Sequence, residues 1–177
     1  GAYATLAAQV FAVTAAFNFL KSAADFAVLA EGQAAFARST GIAIKTLSNN
    51  IVEATGAQIG FKDASQAAAI GLAAGLNVKQ LEDLGKAAKD VSLVLGRDVT
   101  DSFNRLVRGT TKAEPELLDE LGIILRLETA SQKYADAIGK DVKQLTQFEK
   151  SQAVANDVLE QAQTKFSDVL GLSLIHI

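Results

Sequence analysis

The side chains able to do chemistry are few and scattered. The chain has 177 residues, no cysteine and one histidine, His176. That inventory excludes disulfides, thiolate metal sites and cysteine nucleophiles. It gives a Ser-His-Asp triad no usable base and zinc too few ligands. No glycine-rich loop fits a Walker A or dinucleotide fingerprint. Two acidic groups remain, Glu82-Asp83 and the set Glu114, Glu116, Asp119 and Glu120. Paired carboxylates do acid–base work when a pocket drives their pKa values apart. On short amphipathic helices they read instead as a solvated face, and Glu116, Asp119 and Glu120 near a helix start suit the macrodipole. Arg97, Arg105, Arg108 and Lys112 form a small basic group. Arg105 and Arg108 share a helix face, and Asp98 and Asp101 lie close enough to offset the charge. No aromatic residues interleave to stack bases, so no specific nucleic-acid partner is expected. The expectation is a protein that is not an enzyme, with no catalytic, cofactor-binding or metal-binding residues and no cofactor.

The elements that would position these groups follow from composition and punctuation. With 17 basic and 20 acidic residues the net charge is -3, and 49% of residues are hydrophobic. A single proline excludes a collagen-like or proline-rich linker. Helix starts are signalled by a cap residue with Gln or Glu three places on, at Asp63–Gln66, Asn77–Gln80, Thr129–Gln132 and Thr146–Glu149, and more loosely at Asp98–Asp101. Glycines that can end helices stand at 41, 56, 75, 96, 109, 122 and 139. Pro115 suits a first helical position. These signals predict one long helix over 2–39, or two broken near Gly32, then helices over 42–55, 63–74, 77–95, 98–108, 114–121, 128–138 and 146–169. Ile123–Leu127 reads as a strand or a buried connector, since short apolar runs are ambiguous.

Three stripes alternate spacings of three and four. They are Leu6, Val10, Val13, Phe17, Leu20, Ala24 and Ala27; Leu81, Leu84, Ala88, Val91 and Leu95; and Phe148, Gln152, Ala155, Leu159, Ala162, Phe166 and Val169. Such spacing favours helix pairing in a bundle or coiled coil, with a thin core because so many positions are alanine. Gly71 and Gly75 fit a small-xxx-small pattern, read here as close helix packing plus a helix end. Gly1 to Leu20 carries no charge, about enough to span a bilayer. Thr5, Gln9, Thr14, Asn18 and its many alanines favour a helix buried in a bundle. The expected fold is all-α, a multi-helix elongated bundle or helical hairpins with short Gly-punctuated loops. Residues 1–40 form a long Ala-rich apolar helix and residues 41–170 a multi-helix region. The chain holds no methionine, so Gly1 is not expected to be a natural start. Leu172–Ile177 equals the in-frame translation of a transposon-derived sequencing adapter, so residues 171–177 are expected to be read-through.

Three blocks in order carry a resemblance. Leu93–Gly109 (Leu-Val-Leu-Gly-Arg-Asp-Val-Thr-Asp-Ser-Phe-Asn-Arg-Leu-Val-Arg-Gly) continues into Lys112–Ile123, with Leu117-Leu118-Asp119-Glu120-Leu121-Gly122-Ile123. Lys133–Lys140 then holds Tyr-Ala-x-x-x-Gly-Lys, and Leu145–Ala153 holds Leu-Thr-x-x-Glu-Lys-x-Gln-Ala. This series resembles the tape measure proteins of tailed bacteriophages over roughly residues 36–165. The resemblance implies a structural component that sets tail length and fills the tail tube before DNA ejection. Its partners would be the tail tube protein and tail assembly chaperones, with self-association as a further interaction. Its place would be the tail lumen of the virion, and the host cytoplasm during assembly. Frequent glycines break this region into short helices, which implies a compact or refoldable module within the ruler. Two other readings stand beside it, a membrane-active or envelope-penetrating helical bundle meeting the host inner membrane through residues 1–29, and a cellular helical scaffold module.

Overall fold

Cap side chains and left-handed glycines cut the chain into a series of short helices. The computed structural model describes residues 41–167 and, before them, Ala27, Glu31, Ala34, Ala37 and Arg38, all five helical. The chain divides into two units, Gly1–Ile44 and Lys45–Ile177. Apart from those five residues, the expected helix over 2–39, its Leu6–Ala27 stripe, the uncharged stretch Gly1–Leu20 and the tail 171–177 lie outside the described residues. Among the described residues the fold is an all-α, multi-helix bundle. Its helices are α1 (Ile44–Ala54), α2 (Phe61–Ala73), α3 (Val78–Leu95), α4 (Val99–Lys112), α5 (Pro115–Asp119), α6 (Leu127–Ile138) and α7 (Gln147–Ala162). A 3-10 turn, Val142–Gln144, precedes α7, and a π turn, Gln163–Ser167, extends it.

Three of the five expected caps form. Asn77 with Gln80, and Thr146 with Glu149, close reciprocal capping boxes, and the Asp98 side chain accepts from the Asp101 amide. Each such cap is worth about 1 kcal/mol. The other two do not form. α2 begins at Phe61 from Gly60, which places Asp63 in its first turn, where its charge faces the positive helix end. α6 begins at Leu127 after Arg126, so Thr129 lies inside its first turn. Burial decides that boundary: Ile123 and Leu125 are 0% and 6% exposed, and the chain turns into a helix as soon as both are covered. The same cap spacing at Asp141–Gln144, absent from the expected starts, forms a capping box on the 3-10 turn.

Six of the seven expected glycine stops have positive φ. Gly109 does not. It lies inside α4, where a Cβ would stand 2.7 Å from Leu118 Cγ. The missing side chain lets α5 lie directly on α4. α4 continues to Lys112 and closes on Ala113 at φ 52, a conformation that costs an L-residue about 1–2 kcal/mol. Pro115 takes the first turn of α5, as its fixed φ predicts. Gly71 and Gly75 divide the two roles read from their spacing. A Cβ on Gly71 would overlap Leu81 of α3, and Gly75 follows α2 at φ 96.

The packing follows the stripes with two departures. Leu81, Leu84, Ala88 and Val91 of α3 are fully buried, but Leu95, at the turn of the α3–α4 hairpin, is 43% exposed. In α7, Ala155, Ala162 and Phe166 are buried, but Phe148 lies outside the core against Gly75. α7 also buries Ala153, Val154 and Val158, because it packs on α3, α4 and α6 together. Among the described residues ten of the thirty buried apolar ones are alanine, so each helix buries little area at about 25 cal/mol per Å².

Ile123–Arg126 is a connector, not a strand. It alternates as a strand would, with Ile124 and Arg126 outward, but its pairing partner is a side chain. Ile124 donates its amide to Gln161 Oε1 at 3.0 Å, and its carbonyl accepts from Gln161 Nε2 at 2.9 Å. Lys165 Nζ donates to the Gly122 carbonyl at 2.8 Å.

Gly109→Ala tests the close approach of α5. Alanine would favour the helix by about 1 kcal/mol, yet the fully buried Leu118 cannot yield. The variant is expected to be less stable by about 1–2 kcal/mol in urea unfolding. Equal or greater stability would show that α5 moves freely.

Candidate functional site

Some of the charged residues singled out in the sequence pair with each other. Asp101 accepts from Arg97 Nη2 at 3.2 Å and from Arg105 Nε at 2.9 Å. Arg105 Nη1 lies 2.6 Å from Glu120 Oε2, and Arg97 also donates to the Glu120 carbonyl at 3.3 Å. One residue of the acidic group therefore joins two of the basic group across the α3–α4 turn, α4 and the end of α5. Asp98 is spent on its cap. Arg108 is exposed, and Lys112 lies 3.7 Å from Glu114. Partial burial pushes the Asp101 carboxyl up, but hydrogen bonds from Arg105 and Arg97 outweigh that and hold it below its ordinary value. This is a clasp of moderate strength, since its members are a quarter to a half exposed.

Glu116 and Asp119 of α5 are exposed. Glu82 accepts from Asn50 at 2.7 Å. Asp83 pairs with Lys79 at 2.7 Å and Lys86 at 3.6 Å. Asp90, two turns on, lines a cleft of about 300 Å³ with Leu159 and Ser167. Burial pushes its carboxyl above the ordinary range, against the opposing pull of Lys89 and a hydrogen bond from Ser167. A raised carboxylate in a cleft is a candidate acid. Here the neighbouring carboxylate, Asp83, is held between two lysines. Among the described residues no group of three His, Cys, Asp or Glu side chains converges on one point, and no helix is long and apolar enough to cross a membrane. His176 lies outside the described residues.

The best organised polar site is one that the acidic and basic patterns do not reveal. Gln80 and Gln152, 6% and 8% exposed, meet between α3 and α7. Gln80 Nε2 donates to Gln152 Oε1 at 2.7 Å, and Gln152 Nε2 donates to the Gly75 carbonyl at 2.6 Å. Gln80 Oε1 accepts from the Asn77 amide at 2.9 Å. The end of α2, the cap of α3 and the face of α7 thus share one chain of hydrogen bonds. The sequence signals were Gln152 interrupting an apolar stripe and Gln80 closing the Asn77 cap; neither pointed to the other.

No protein-family model matches this chain, and no solved structure matches it. The described surface holds several of its charges in pairs, and the buried Gln80 and Gln152 amides bond each other. Chemically that arrangement positions helices.

Two measurements probe these contacts. Gln152→Leu leaves the Gly75 carbonyl and the Gln80 amide short of partners, and is expected to cost about 2–3 kcal/mol. Adding Gln80→Leu should cost less than the sum of the two single changes, read in a double-mutant cycle; strict additivity would contradict the pairing. Asp101→Asn is expected to be less stable than the parent above about pH 4. The difference should shrink as pH falls through the depressed native value, because a carboxylate held low contributes only while ionised. A gap that is unchanged down to acid would refute the clasp.

Proposed function

We propose that this chain is a segment of a tail tape measure protein, a structural component of a phage tail that sets tail length and occupies the tail tube before ejection. The reading rests on the order and spacing of the three sequence blocks between Leu93 and Ala153. It is supported by the all-helical character of the described residues. Each block has a defined place in the fold. Leu93–Gly109 covers the α3–α4 turn with its cap and clasp, Lys112–Ile123 supplies α5 and the buried connector, and Lys133–Ala153 joins α6 to α7.

A ruler converts residues to length at 1.5 Å per residue in a helix. The longest described helix, α3, has 18 residues and advances only about 27 Å. As one rod, residues 41–167 would extend roughly 190 Å. The described state is therefore a folded module, and it measures length only when its helices unstack. The tube protein and assembly chaperones are its proposed partners, and the tail lumen its proposed location.

Deletion of residues 45–167 from the complete reading frame of the phage is the test. Tails seen by electron microscopy are expected to shorten by up to roughly 190 Å. Tails of unchanged length, or a reading frame with no role in tail assembly, would overturn the proposal.

A further inference from the structure

We propose that α6 is a salt-releasable strap, which leaves α7 as one unit while the rest of the bundle stays folded. The strap follows from packing alone, whether or not the chain measures a tail. Buried leucines fix the chain on both sides of it: Leu125 before α6 and Leu145 after it are each 6% exposed. Within α6 itself the buried residues are Ala130 and Ala135 alone. An alanine methyl buries little area, so this seat holds the helix weakly.

Three further observations set α6 apart. First, it packs mainly on α7 and the 3-10 turn, whereas α7 also packs on α3, α4 and the π turn. When α6 leaves, α7 keeps that bed, with Gln152 still bonded to Gln80 and to the Gly75 carbonyl. Second, open space flanks α6. A groove of about 410 Å³ lies between Leu127 and Ser131 of α6 and Thr111 and Lys112 of α4. On another side a cleft of about 220 Å³ enters the α6–α7 seam beside Tyr134 and Asn156. Third, the charged ties across the seam are Lys133 with Glu160 and Lys140 with Glu149, and both members of the first pair are 59% exposed. Exposed ion pairs are worth little and are screened by salt. A helix seated on two methyl groups and closed by such pairs opens by local unfolding well before the core does. The ties make that opening respond to ionic strength.

Amide hydrogen exchange of the full 177-residue chain, read by NMR in about 20 mM and about 1 M NaCl, is the test. The amides of Ser131–Ile138 are expected to exchange together, at least about tenfold less protected than those of Leu84–Val91 in α3. High salt should lower the protection of α6 about threefold and leave that of α3 unchanged. Glu160→Lys should do the same at low salt, and adding Lys133→Glu, which reverses the pair, should restore the parental value. Equal protection of α6 and α3, a salt effect absent from α6 or shared by every helix, or a reversed pair that fails to restore protection would each overturn the strap.

Discussion

The fold depends on a demand that buried amides cannot escape. A glutamine side chain taken out of water must have its donors and acceptors met, or it costs more than burial returns. Gln80 and Gln152 meet that demand with each other, with the Asn77 amide, with the Gly75 carbonyl and with the Asn156 side chain. Apolar stripes made largely of alanine slide past one another at small cost, because each side chain offers little shape to interlock. The glutamine pair removes that freedom. It sets the register of α7 on α3 and holds the end of α2 to both.

The same division of labour recurs through the described residues. Small side chains set distances, and polar ones set registers. Gly71 and Gly109 let Leu81 and Leu118 approach a helix backbone. Ser48 with Ser65, and Ser92 with Ser102, pin the adjoining helices by hydroxyl bonds of 2.9 Å. Gln161 reads the Ile124 backbone as a strand would. Lys133 with Glu160, and Lys140 with Glu149, tie α6 antiparallel to α7. In such a molecule specificity resides in individual polar contacts more than in core shape.

Local rules made much of this readable. The caps at Asn77, Asp98 and Thr146 depend only on residues within one turn, so spacing sufficed. Helices starting from Gly60 and Arg126 were displaced from the expected caps, because burial of distant parts of the chain outranks a cap worth about 1 kcal/mol. Gly109 was misread as a stop because a bare Cα is identical in sequence whether it serves a left-handed turn or a close neighbour. The Arg97–Asp101–Arg105 spacing was visible, but its link to Glu120 required knowing where α5 lies. The pairing of Gln80 with Gln152 was not legible, since it is set by tertiary placement.

The distance along the chain between Gln80 and Gln152 has a kinetic consequence. α3 and α4 are neighbours in sequence and close a short loop, which is fast. α7 must find a surface assembled 72 positions earlier, and closing longer loops costs more entropy before any contact repays it. Hairpin formation therefore comes first and docking of the last helix comes late, so a nascent chain keeps its α3 surface uncovered until synthesis has passed Ala162.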